Sequence, residues 1–134
     1  FPAGYVGGLL GRKKSMLIGN AVIVSTFVII FFLEEKTLLP VLLGISGVGW
    51  SLMTTNAYPA VAEMAPKGQT GLYTGYYYVF TFAASISSPI LYGLTADILK
   101  SQKYLFIFGF VMFALGMIFL FNVNKRAISG EGKD

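Results

Sequence analysis

The chain has 134 residues, of which 55% are hydrophobic and only 12% charged, with a formal net charge of +4. Soluble domains carry roughly 25% charged residues, so this composition, with its mean hydropathy of +0.71, excludes an ordinary soluble fold and points to a protein embedded in the lipid bilayer. The absence of Cys and His excludes disulfides, thiol chemistry and histidine-based metal sites or proton relays, and no metal or other cofactor is expected.

Charges are gathered in short clusters that leave four stretches without Asp, Glu, Lys or Arg: 15–33, 37–62, 68–96 and 104–124. Crossing the hydrocarbon takes roughly 20 apolar residues in a helix, so the pattern predicts an all-α integral membrane protein with four transmembrane helices. The cations flank these spans instead of forming a face, which argues for a topological use and against nucleic acid as a partner. Residues 1–14, FPAGYVGGLLGRKK, read as the end of a preceding helix followed by a glycine-rich basic loop. The chain begins with Phe and has no basic segment ahead of an apolar core, so it reads as a piece of something longer and not as a signal-led protein.

Span 15–33 has Ser15, Asn20, Ser25 and Thr26 as its polar side chains and reads as lipid-facing support. In span 37–62, Pro40 falls in the first turn, where its missing N–H costs little. Gly44, Gly47 and Gly49 permit close helix approach. Trp50, Thr54, Thr55, Asn56 and Tyr58 then break the apolar run, and Pro59 deprives the Thr55 carbonyl of its donor, a kink beside a polar residue. Span 68–96 repeats the design: Pro89 frees the Ser85 carbonyl, Ser87 and Ser88 supply replacement hydrogen bonds, and Tyr77, Thr81, Ala84, Ser85, Ser88 and Tyr92 share one face expected to turn inward.

Polar groups of this kind gain nothing from lipid unless they face protein or a water-filled path. The two middle spans therefore read as the working pair, with Trp50, Thr54, Asn56, Tyr58, Tyr77 and Thr81 as candidates for lining a substrate cavity and Pro59 and Pro89 as helix kinks. Span 104–124 reads as further support and 125–134 as a disordered cytoplasmic tail. Arg12, Lys13, Lys14, Lys67, Lys125 and Arg126 fall on one side of the spans, against Lys36, Lys100 and Lys103 on the other, which places the termini and the 63–67 turn in the cytoplasm of a plasma-membrane protein.

Gly4-Tyr-Val-Gly-Gly-Leu-Leu-Gly11-Arg12-Lys13-Lys14 resembles the glycine–arginine loop of the major facilitator superfamily, G-x-x-x-D-R-x-G-R-K/R. Gly49-Trp50-Ser51 through Asn56-Ala-Tyr58-Pro59, Glu63-Met-Ala-Pro66, Gly71-Leu-Tyr73-Thr74-Gly75-Tyr-Tyr-Tyr-Val-Phe80 and Ser88-Pro89-Ile-Leu-Tyr-Gly93 resemble the tenth and eleventh helices of its bacterial sucrose-transporter-like members, relatives of the glycoside–pentoside–hexuronide cation symporters. The resemblance covers the chain as the end of helix eight through helix twelve. It implies a secondary transporter that moves a small solute, a sugar or glycoside, by alternating access, coupled to a proton or sodium ion and completed by an amino-terminal half that is missing here. It also implies a cytoplasmic gate in which Glu63, in Glu63-x-x-Pro66-x-Gly68, pairs with Arg12. The family's loop Asp and Arg are replaced by Gly8 and Leu9, and no carboxylate lies inside a span, so a coupling acid is expected in the missing half.

No enzyme is expected, since no catalytic nucleophile–base or metal set is present. The alternative class is a non-transporting four-helix membrane scaffold or assembly protein, in which polar residues only hold helices together.

Overall fold

A computed structural model describes residues 2–34, 36–101 and 104–123. Within them the chain forms five helices and no strand: α1 (Pro2–Leu10), α2 (Arg12–Phe32), α3 (Leu39–Met64), α4 (Thr70–Leu99) and α5 (Tyr104–Asn122), with a 3-10 turn at Lys36–Leu38 leading into α3. Each of α2 to α5 fills one of the four charge-free stretches. The 125–134 tail lies outside the described residues.

The first departure from expectation is at the amino-terminal end. The basic loop shrinks to a single residue, Gly11, whose φ of 84° is the left-handed conformation that glycine adopts without a steric penalty. Arg12, Lys13 and Lys14 are the first turn of α2. Cations are unfavourable at the positive end of a helix dipole, so they need partners, and two of them find these on other helices, as described below. The second departure concerns α3. Among the described residues α2, α4 and α5 are long and apolar enough to cross a membrane. Helix α3 has the length, 26 residues, but its run of Trp50, Ser51, Thr54, Thr55, Asn56 and Tyr58 dilutes its hydropathy, and the fourth crossing rests on length alone.

Packing is centred on α2, which lies antiparallel to α3 along most of its length and against α5 on another side. The α2–α3 seam is made of small and short polar residues. At its middle Gly19 meets Gly49: a Cβ on Gly19 would stand 2.5 Å from the Gly49 carbonyl oxygen, and one on Gly49 would stand 2.7 Å from the Gly19 carbonyl oxygen. Backbone thus touches backbone, as small residues allow in membrane helix pairs. Gly44 and Gly47, read as approach points too, have nothing within 4 Å of where a Cβ would be. Two turns along the seam, the Thr26 and Ser46 hydroxyls are hydrogen-bonded at 2.6 Å, both side chains being buried. On its other side α2 sends Phe27 into the notch at Gly109 of α5, edge-on to Phe106 and Phe113 at 5.8 Å.

These contacts correct the reading of span 15–33 as lipid-facing support. Ser15, Gly19, Asn20, Ile23, Thr26 and Ile30 are all buried, whereas α4, expected to turn a hydroxyl face inward, has no buried residue. Few polar groups on a helix do not mean an outer position when those few are the ones that pack.

The seam makes an ordered forecast. Gly49→Ala adds a methyl 2.7 Å from the Gly19 carbonyl oxygen and close to Ile23 and Val22, and overpacking of this kind costs about 1–3 kcal/mol. Thr26→Val removes one interhelical hydrogen bond, for which about 0.6 kcal/mol is the membrane average. Unfolding of the chain in mixed detergent micelles should show Gly49→Ala to be the more destabilising of the two.

Candidate functional site

At one end of the bundle, the start of α2, the end of α3 and the end of α5 come together. Arg12 Nε donates to Glu63 Oε1 at 2.5 Å, linking the first turn of α2 to the last turn of α3 across a half-exposed surface. Beside it, Lys13 Nζ donates to the carbonyls of Phe121 and Val123 at the end of α5, the first at 2.8 Å. A cation on the last carbonyls of a helix complements its dipole. The cations that burden the start of α2 are thus answered by a carboxylate and by the negative end of another helix. Because Arg12 and Glu63 are 30% and 38% exposed, their pair is worth about 0–1 kcal/mol if well solvated.

The six residues read as cavity lining separate into two sets. Trp50, Thr54 and Tyr58 recur every fourth residue and share a face of α3, while Tyr77 and Thr81 share a face of α4. Tyr58 and Tyr77 bring the faces together with ring centroids 5.6 Å apart, and Tyr78 joins them. The hydroxyls of Thr54 and Thr81 are turned onto their own helices, donating to the Trp50 and Tyr77 carbonyls at 2.9 and 2.7 Å.

Asn56 does not belong to this face. Two residues from both Thr54 and Tyr58, it points to the other side of α3, where it is fully buried against α1. Its Nδ2 donates to the Ala3 carbonyl at 3.2 Å and the Leu52 carbonyl at 2.8 Å. Its Oδ1 occupies the space a Gly7 side chain would need, 1.8 Å from the ideal Cβ position. Among the described residues Asn56 is thus a tie between two helices, not part of a cavity wall, and the glycines before it are what admit it.

Helices α3 and α4 run unbroken through Pro59 and Pro89. Ser87 and Ser88 are expected to serve the Ser85 carbonyl freed by Pro89, but Ser87 Oγ instead approaches the Ala84 carbonyl at 3.5 Å, and among the described residues no hydrogen bond from Ser88 reaches it.

A residue the sequence did not single out is Asn20. It is 3% exposed, its Nδ2 donates to the Phe113 carbonyl at 3.2 Å, and its Oδ1 has no hydrogen-bond partner among the described residues. Asn20 lies on the wall of a cleft of ≈ 530 Å³ between α2, α3 and α5, reached by Ser88 of α4. Trp50, 53% exposed, stands in the same wall with its ring edge-on to Phe113 at 6.2 Å. The signal available for Asn20 was the one used for Asn56: an amide in an apolar span must find partners.

The described residues contain no group of three or more His, Cys, Asp or Glu that could hold a metal ion. What they form is a multi-pass helical membrane protein whose buried polar residues, all on α2 and α3, are turned to the seams and whose cations at one end are partnered. The chain belongs to the major facilitator superfamily, whose family model matches residues 1–133. Two Mycobacterium tuberculosis proteins from different strains, each named an uncharacterized MFS-type transporter, are 30% identical to it over 98 residues. That match takes in 73% of this chain and 14% of each relative, so the chain spans a small part of the curated relatives it matches. No solved structure matches. The family places the chain with transporters and not with enzymes.

The position of Asn56 has a consequence for α1. With Gly4→Cys and Thr55→Cys as the only thiols, oxidation should join α1 to α3, since a Cβ at Gly4 would lie 3.7 Å from Thr55 Cγ2. Adding Asn56→Leu should slow this cross-link several-fold, because a Leu cannot donate to the Ala3 carbonyl; an unchanged rate would show that Asn56 does not hold α1.

Proposed function

We propose that this chain is part of a secondary transporter that carries a small solute across the plasma membrane by alternating access, completed by a further half outside these residues. The observation that carries the reading is the contrast within the α2–α3 pair. The helices are in backbone contact at Gly19 and Gly49, a fixed pivot, and are joined at one end by the half-exposed Arg12–Glu63 pair. A bond of this size can break and re-form, and even about 1 kcal/mol changes an equilibrium roughly fivefold. Arg12 and Glu63 then act as a gate on the cytoplasmic side, where the positive-inside pattern puts the termini, and Pro59 and Pro89 serve as the points where α3 and α4 bend.

The solute is a sugar or glycoside, coupled to a proton or sodium ion bound in the completing half. The resemblance of α3 and α4 to sugar carriers supports this, as does the aromatic face of Trp50, Tyr58 and Tyr77 with Thr54 and Thr81, since rings and hydroxyls together suit a sugar's apolar faces and polar rim.

Two measurements test the reading in the complete transporter. Uptake of labelled sucrose should fall about tenfold or more in Tyr77→Leu with surface abundance unchanged; wild-type protein that moves no sugar refutes the sugar assignment, and one that moves no solute favours a scaffold. Arg12→Gln and Glu63→Gln should shift the inward/outward balance in the same direction and the double variant should add little to either, whereas additive effects would show that the two do not act as a pair.

A further inference from the structure

The hydroxyls on the α3–α4 face share a state that their residue types alone do not reveal. Thr54 Oγ1 donates to the Trp50 carbonyl at 2.9 Å, Thr81 Oγ1 to the Tyr77 carbonyl at 2.7 Å and Ser85 Oγ to the Thr81 carbonyl at 2.8 Å. A hydroxyl has one proton and two lone pairs, and in all three the proton is committed to the carbonyl one turn back. What each oxygen retains is the capacity to accept. Thr81 and Ser85 are exposed and Thr54 is half-buried, so these acceptors are within reach of a solute. The Tyr58 and Tyr77 hydroxyls can donate or accept and so do not discriminate, whereas the two threonines can only accept.

Two meetings of the helices set where the threonines stand. Tyr58 and Tyr77 are in ring contact, and farther along Trp50 and Ser88 line one cleft. Residue numbers fall along α3 as they rise along α4, so the helices run antiparallel, and Thr54 and Thr81 lie between the two meetings. Each is four residues, about 6 Å, from its own tyrosine. The face therefore holds two acceptors at one level, bordered by the Tyr58 and Tyr77 rings on one side and by Trp50 on the other. Neither 37–62 nor 68–96 contains Asp, Glu, Lys or Arg, so an ionised solute would find no counter-charge on this face. A solute offering only ether oxygens would set lone pair against lone pair. A neutral polyol brings the donors that the threonines need.

We propose that Thr54 Oγ1 and Thr81 Oγ1 are specificity-determining acceptors, each taking a hydrogen bond from a different free hydroxyl of a neutral polyol. The assignment rests on the carrier reading of the α3–α4 face and deepens it: the face selects solutes by what they donate, and rejects derivatives whose hydroxyls at those two places are masked.

The test uses the complete transporter in proteoliposomes. Uptake of labelled sucrose is competed with sucrose derivatives in which one hydroxyl at a time is replaced by fluorine, which is close in size but cannot donate. Fluorine at two positions or more should weaken competition about three- to tenfold, the worth of one neutral hydrogen bond. Thr81→Val should weaken sucrose itself by a similar factor and erase the discrimination at one of those positions, and Thr54→Val should erase it at another. Thr81→Ser, which keeps an oxygen and its bond to the Tyr77 carbonyl, should restore the wild-type pattern. If no fluorine substitution weakens competition, or if the discrimination at every position survives both valine variants, the assignment is overturned. Equal weakening of sucrose and all its derivatives in the valine variants would show a packing role only and overturn it as well. Wild-type transporter that moves no sucrose fails the sugar reading itself and takes this assignment with it, an outcome distinct from sucrose transport without discrimination.

Discussion

The contact between the Gly19 and Gly49 backbones is the constraint on which the other interactions depend. Lipid tails are as apolar as leucine, so no hydrophobic force presses one helix against another in a membrane, and close packing and hydrogen bonds must do it. With both Cβ atoms absent, α2 and α3 come near enough for short side chains to reach across. Thr26 and Ser46 have only one hydroxyl-bearing carbon each, and their 2.6 Å bond exists only at that separation. The same approach sets the spacing of the helix ends and so decides whether Arg12 can reach Glu63.

Polarity inside the bundle is handled locally. Thr26 and Ser46 bond their own helices as well as each other, and Asn56 bonds one carbonyl in α3 and another in α1. Every such group would otherwise face hydrocarbon, where an unsatisfied donor costs several kcal/mol. The two amides differ from the hydroxyls in having more groups than the surroundings can serve: both Asn20 and Asn56 retain a buried oxygen without a partner among the described residues. For Asn56 that oxygen is closed in by Gly7, whereas Asn20 lies in a cleft wall. The same residue type fastens α3 to α1 in one place and α2 to α5 in the other.

The charge-free stretches located the helices to within a few residues because charge exclusion is an absolute demand of the bilayer, legible one residue at a time. Which helix packs on which was not legible, because packing in lipid is decided by absent side chains as much as by present ones. Gly49 was recognisable as a point of approach, but its partner Gly19 stands alone in an apolar run, and Gly44 and Gly47 look identical to Gly49 in sequence yet have nothing among the described residues within 4 Å of where a Cβ would be. Likewise a polar residue in a span says that it faces protein, not which protein surface. That is why Asn56 reads as cavity lining but faces α1, and why Asn20 reads as incidental. The pairing of Arg12 with Glu63 was within reach because both residues sit at span ends, where topology alone restricts the possible partners.

The bond from Lys13 to the end of α5 joins residues 108 and 110 positions apart. A ribosome delivers these ends at opposite times. Helix α2 enters the bilayer with a lysine at its unfavourable end and with Phe27 and Asn20 uncovered on the side that α5 will take, and it remains so until α5 is made. The order of synthesis thereby leaves α2 as a surface held open for α5, and a chain stopped short of Tyr104 would have α2, α3 and α4 but nothing on that side of α2.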